Sequence, residues 1–158
     1  MRRHSPGYDF LFYFAILATL LALAPALAHL FELPHKIVLP EAAYFTVQRI
    51  YRGWDLFGIV IVAQFAALAL LAWRSAGEYY VFRPVCAALL LLLVAQALFW
   101  LYTFPANVAT DNWTVAPANW RALRQTWEYS HAAGAACQFG GLCVLIWALF
   151  ARVRMAGR

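Results

Sequence analysis

Two short segments, far apart in the chain, carry the same pair of side chains in opposite order. His29-Leu30-Phe31-Glu32 and Glu128-Tyr129-Ser130-His131 each hold a histidine and a carboxylate three positions apart. On an α-helix, positions i and i+3 share a face, so each segment presents an imidazole beside a carboxylate. Two helices that each turn Glu and His inward follow the ligand logic of metal sites in helical bundles. Imidazole with carboxylate suits zinc, iron, manganese or copper. His29, Glu32, Glu128 and His131 are therefore candidate ligands for a transition metal, and two of the histidines are a lesser option for haem. Without a metal the same groups are acid–base candidates. A neutral imidazole can take a proton from an activated C–H or O–H, and Arg52 or Arg124 can stabilise the resulting anion. A plainer arrangement uses the same residues: Arg124 and Glu128, at i and i+4, pair along one helix, and the histidines bond to backbone or water. A di-iron bundle normally repeats Glu-x-x-His and adds two further glutamates, whereas here one copy is reversed.

Aromatic residues frame this chemistry. Trp120, Arg124, Trp127 and His131 fall at i, i+4, i+7 and i+11, one helical stripe. Gln48, Arg52 and Asp55 form another at i, i+4 and i+7. With Tyr51 and Trp54 they outline an aromatic pocket with a few polar contacts, suited to a small, planar, partly polar ligand. Gln48, Tyr51, Trp54, Trp120 and Trp127 are its candidate binding residues. The competing reading is an amphipathic helix with tryptophans at the lipid headgroups.

The elements that position these residues follow from composition. The 158-residue chain is 65% hydrophobic and 12% charged, with a mean hydropathy of +0.68. A soluble domain carries roughly 25% charged residues, so lipid is the expected solvent. A membrane-crossing helix needs about 20 mostly apolar residues, and the stretches 10–31, 54–73, 84–104 and 130–151 qualify. The expected fold is all-α: one integral membrane domain over 1–158, a four-helix transmembrane bundle with short amphipathic helices in its two outward connections. Tyr8, Trp54, Trp73, Tyr79, Tyr80, Trp100 and Tyr102 cluster at span ends, as interfacial anchors do. Pro40-Glu41 and Pro117 are helix-start signals in the outward connections, the second feeding the fourth span. The third span is expected to give way to irregular chain at Pro105, Asn107, Asp111 and Asn112. Ala26-Leu27-Ala28, after Arg2 and Arg3, resembles a cleavage site, but the apolar run exceeds the roughly 7–15 residues of a signal peptide. The segment is expected to stay. Gln64, Gln96 and Gln138, near mid-span, suit hydrogen bonds between helices or the lining of a cavity. The small residues Ala133, Cys137 and Gly141, with Ala136 and Gly140, suit close helix approach.

Charge sets the expected orientation. Arg2, Arg3, Arg74, Arg83, Arg152, Arg154 and Arg158 fall on one side of a four-span topology, with only Asp9 and Glu78 against them. Lys36, Arg49, Arg52, Arg121 and Arg124 fall on the other and are matched by Glu32, Glu41, Asp55, Asp111 and Glu128. Positive loops stay inside, so both termini are expected in the cytoplasm, of a bacterial inner membrane in the simplest case. The net charge of +5 lies at the ends of apolar runs rather than in a basic stripe, which excludes nucleic acid as the expected partner. Cys86, Cys137 and Cys143 contain no C-x-x-C pair and read as small packing residues.

There is no P-loop, no dinucleotide-binding glycine pattern and no nucleophile elbow. Asn112-Trp113-Thr114 is a glycosylation sequon, relevant only in a eukaryotic secretory membrane. The segments Ala28-His29-Leu30-Phe31-Glu32-Leu33-Pro34, Val47-Gln48-Arg49-Ile50-Tyr51-Arg52-Gly53-Trp54 and 120–131 resemble a widespread four-helix membrane family that includes anthrone oxygenase-like proteins. The resemblance covers most of the chain in short motifs. It implies the four-helix fold and, by its better-known members, action on polycyclic aromatic anthrones. It assigns no catalytic residue. Three functions remain open: an oxidoreductase or oxygenase using the outer-face residues, a non-catalytic partner in a membrane-protein complex, and a binder of small hydrophobic molecules.

Overall fold

In the computed structural model, which describes residues 6–156, the chain forms helices α1 (Pro6–Lys36), α2 (Glu41–Gln48), α3 (Phe57–Ser75), α4 (Tyr79–Leu98), α5 (Phe104–Ala109) and α6 (Trp120–Ala156). No strand occurs among the described residues. Arg2, Arg3 and Arg158, which contribute to the expected charge asymmetry, lie outside them.

Four helical stretches are long and apolar enough to cross a membrane: Pro6–Lys36, Trp54–Ser75, Tyr79–Ala109 and Trp120–Met155. They close a ring in which α1 packs on α3 and α6, and α4 packs on the same two helices. Phe12, Leu68, Leu71, Val85, Leu92 and Leu145 fill its centre. Phe10, Leu20, Ile59, Val62, Leu90, Trp147 and Phe150 stand exposed on its outside. A continuous apolar exterior of this extent is incompatible with water as solvent. The protein is an all-α, four-helix integral membrane protein.

Backbones approach most closely between α4 and α6. A Cβ on Gly141 would stand 3.2 Å from Leu92 Cδ2 and 3.5 Å from the Ala88 carbonyl oxygen. The rest of the expected small-residue stripe contributes less, since Ala133 and Ala136 are exposed. The cysteines are unpaired, and Cys143 is exposed rather than packed. Gln64 is buried, but its Nε2 has no hydrogen-bond partner, so the expected inter-helix amide bond is not made there. Ala26 packs with Leu23, Ala135 and Leu142, so the cleavage-site-like segment forms part of the core.

The described ends of α1 and α6 meet at one end of the bundle. There Arg152 pairs with Asp9 and lies over the Tyr8 ring at 3.9 Å. The opposite, distal end carries the connections after α1 and α4. The α4 helix does not stop where the sequence suggests. A π-helical turn at Phe99–Thr103 leads straight into α5. Pro105, which has no N–H to donate, follows this wide turn directly in the first turn of α5. The wide turn also sets Thr103 Oγ1 2.6 Å from Ser130 Oγ of α6. After Pro117, α6 runs unbroken through the fourth span, as expected.

Candidate functional site

The distal end of α1 carries His29, Glu32 and Lys36 at i, i+3 and i+7, one helical face. Lys36 is 3% exposed. Its Nζ lies 3.2 Å from Glu128 Oε1 of α6 and 3.7 Å from Glu32 Oε2. It also donates to the Tyr51 hydroxyl at 2.8 Å, and that hydroxyl donates to Glu32. The Tyr51 and Trp127 rings lie 4.4 and 4.7 Å from the ammonium. Ion pairs so far from water carry a large desolvation cost, repaid only by close geometry and further hydrogen bonds. Lys36 has both, together with two aromatic faces.

α2 supplies the next layer. The turn at Pro40 folds it back over the bundle, so that Tyr44, wholly buried, donates to Glu128 Oε1 at 2.9 Å and accepts from Gln48 Nε2 at 2.6 Å. Burial, and then the neighbouring Glu128 carboxylate, holds the Tyr44 phenol well above its usual pKa. Burial, followed by the hydrogen bond to Glu32, does the same for Tyr51. Both phenols therefore remain donors at every ordinary pH.

The two imidazoles face each other beside this network. The ring centroids of His29 and His131 are 4.2 Å apart. Tyr51 lies 4.4 Å and Trp54 5.4 Å from the His29 ring, and Trp127 lies 4.9 Å from His29 and 4.2 Å from His131. Six buried side-chain polar atoms lack a protein partner among the described residues, and four are here: His29 Nδ1, Gln48 Oε1, Arg124 Nε and Glu128 Oε2. A buried atom of this kind costs about 1–3 kcal/mol unless water or a bound molecule completes its hydrogen bond. Their concentration marks this cluster as the place with polar capacity left for a bound molecule.

The fold brings His29, Glu32, Glu128 and His131 to one end of the bundle, but as two separate pairs. The imidazoles meet each other, while both carboxylates turn to the Lys36 ammonium. Among the described residues there is no group of three or more His, Cys, Asp or Glu that could hold a metal ion. His35 is exposed. The α6 stripe is realised, with Trp120, Arg124 and Trp127 buried and His131 half-buried. Arg124 does not pair with Glu128; its Nη1 donates to the Leu39 carbonyl at 2.7 Å, and its guanidinium covers Trp120 at 4.8 Å. Gln48, Tyr51 and Trp54 join the cluster. Arg52 and Asp55 do not, and both are exposed. Their stripe presupposes a continuous helix, but α2 ends at Gln48, and Gly53, at φ +86°, separates two 3₁₀ turns. That left-handed step favours glycine and carries Arg52 away from the face of Gln48.

Sequence reasoning missed four residues. Lys36 was detectable from its spacing to His29 and Glu32. Tyr44, Asn107 and Trp113 had no local signal, because their roles depend on how the connections fold over the bundle. Asn107 Oδ1 accepts from both Trp113 Nε1, at 3.1 Å, and Trp127 Nε1, at 2.8 Å. Trp113 follows Asp111 and Asn112 in a run of positive φ values of 45°, 51° and 63°. Left-handed backbone costs roughly 1–2 kcal/mol per residue for most side chains, less for Asp and Asn.

Two grooves lie apart from the imidazoles. One, of about 370 Å³, runs between Phe12, Ile16, Leu149 and Arg152, and the other, of about 390 Å³, between Leu98, Tyr102, Tyr129 and Ser130. Fold and site together define a four-helix integral membrane protein with a buried polar and aromatic cluster at one end. No protein-family model, curated protein or solved structure matches the chain.

Proposed function

We propose that this protein is a membrane oxygenase of the anthrone oxygenase-like kind, acting on a planar aromatic substrate whose C–H is acidified by a neighbouring carbonyl. The observation that carries the reading is the facing pair His29 and His131, walled by Tyr51, Trp54 and Trp127, with His29 Nδ1 buried and without a protein partner. A ring nitrogen so placed is a proton acceptor awaiting a donor. The imidazole takes the substrate's C–H proton, and the electron pair left on carbon is delocalised into an enolate. The Lys36 ammonium and the Arg124 guanidinium are the nearby cations that favour this negative charge. The enolate then reduces dioxygen, the co-reactant. One oxygen atom enters the former CH₂ carbon as a carbonyl and the other leaves as water, consuming one O₂ per substrate.

The apolar exterior supports delivery of such a substrate from the lipid. The arginines at the end holding the described termini support a cytoplasmic location for that end, and with it a site at the outer face of a bacterial inner membrane as part of this reading. The test is oxygen uptake by purified protein in lipid nanodiscs supplied with a hydroxyanthrone. Uptake above empty nanodiscs, with the quinone as product, is expected. Uptake no faster than in empty nanodiscs overturns the reading.

A further inference from the structure

From residue 111 to residue 119 the chain is exposed or half-exposed at every position except Trp113. That residue closes the run of three left-handed residues, none of them glycine. Asp and Asn adopt this conformation readily, whereas a tryptophan does so only when the surroundings hold it there. Here the hold comes from the backbone N–H, which donates to Thr110 Oγ1 at 3.1 Å, and from the side chain. The indole meets Tyr44 at 5.1 Å, Phe45 at 5.7 Å and Trp127 at 5.8 Å between ring centroids, and its Nε1 donates to Asn107 Oδ1. Trp127 is itself a wall of the imidazole pair. The indole therefore fills a slot with three aromatic walls and one fixed acceptor, a single ring away from the proposed proton acceptors.

We propose that this slot is the docking position for the substrate's ring system and that Trp113 is its internal occupant, which withdraws when substrate enters. This rests on the proposed function and narrows its substrate class. The ligand is a fused-ring aromatic that carries an O–H or N–H on its edge, with its end ring in the place of the indole, its donor on Asn107 Oδ1 and its remaining rings reaching past Trp127 to the imidazoles. The donor matters because a hydrocarbon of the same shape would leave the Asn107 oxygen with one bond fewer, and a site built to accept a hydrogen bond discriminates against ligands that lack it. The anchor for withdrawal is Thr110. Its Oγ1 is fixed to the Ala106 carbonyl, and its own carbonyl accepts from Thr114 and Val115 N–H. Beyond it, Trp113 is the only buried side chain the turn would release.

The experiment uses the full chain in nanodiscs with 2-naphthol as probe and naphthalene as its donor-free counterpart. 2-Naphthol is expected to bind the wild type and to speed backbone hydrogen exchange at residues 110–115. Removing the internal occupant by Trp113→Ala is expected to tighten 2-naphthol binding by about tenfold, because the slot no longer has to be vacated. Asn107→Leu is expected to abolish the preference for 2-naphthol over naphthalene. No binding, or binding with unchanged exchange at 110–115, overturns the proposal, and this wild-type readout decides even if Trp113→Ala fails to fold. So does a folded Trp113→Ala protein that binds no more tightly than wild type. Slot binding without oxygen uptake from a hydroxyanthrone would refute the oxygenase reading and leave the slot. Oxygen uptake without any response at 110–115 would do the reverse.

Discussion

Lys36 is the side chain on which the distal cluster turns. Its ammonium joins two carboxylates, a phenol and two aromatic faces contributed by α1, α6 and the connection after α2. Removing one partner of a buried pair strands the other charge, which typically costs 3–5 kcal/mol, whereas replacing both is far milder. Lys36→Met should therefore destabilise the protein by about 3–5 kcal/mol, and adding Glu128→Gln should restore most of that loss in denaturant unfolding from detergent. Equal losses in the single and double variants would contradict a coupled pair. Tyr44 makes a prediction with a sign. Its phenol pKa is raised in the folded protein, so the stability linked to it is complete below pH 10 and is lost as pH rises above that. The unfolded chain ionises there while the folded one does not. The loss should approach about 1.4 kcal/mol per pH unit, and Tyr44→Phe should remove that share of the alkaline slope. Unfolding measured between pH 9 and about pH 11.5 checks it. At this scale the sequence was legible where spacing along one helix carried the information, as in the stripe of Trp120, Arg124 and Trp127, but not in the pairing of each histidine with its carboxylate, since both carboxylates turn to Lys36. It was illegible for Tyr44, which reaches Glu128 only because α2 folds back across the bundle.

At the scale of elements, two helix junctions decide which residues meet. The break at Gly53 removes Arg52 from the cluster while keeping Tyr51 and Trp54 in it. The π-turn at Phe99–Thr103 lets the third crossing continue into α5 and so bring Asn107 beneath two indoles. Neither is visible in hydrophobic periodicity, which reports which face is apolar and not where a backbone changes its turn. The close passage of α4 and α6 was partly visible, because Gly141 stood in a small-residue pattern. Of its neighbours in that pattern, Ala133 and Ala136 proved to face outward. Gly141→Ile should force Leu92 aside and cost about 1–3 kcal/mol. Gly134→Ala, whose Cβ would meet nothing within 4 Å, should be neutral or slightly stabilising. Thermal denaturation of the two variants side by side checks this, and equal losses would contradict the close packing at Gly141.

For the whole molecule, four apolar runs bounded by arginines and aromatics were enough to specify a four-helix membrane bundle, because a lipid solvent leaves few other ways to satisfy a backbone. The same arginines predict that a fluorescent protein fused to the C-terminus matures in the bacterial cytoplasm. Activity of an alkaline phosphatase fusion at that end would reverse the proposed orientation. The central claim is that the distal cluster is a reaction site built around the imidazole pair, not only a knot that ties the connections down. The most direct measurement pairs oxygen uptake from a hydroxyanthrone with a thermal melt, for wild type and His29→Ala in the same nanodiscs. Loss of a general base should slow uptake by about 100-fold or more, with the melt nearly unchanged. A His29→Ala protein that melts normally and consumes oxygen at the wild-type rate would contradict the claim.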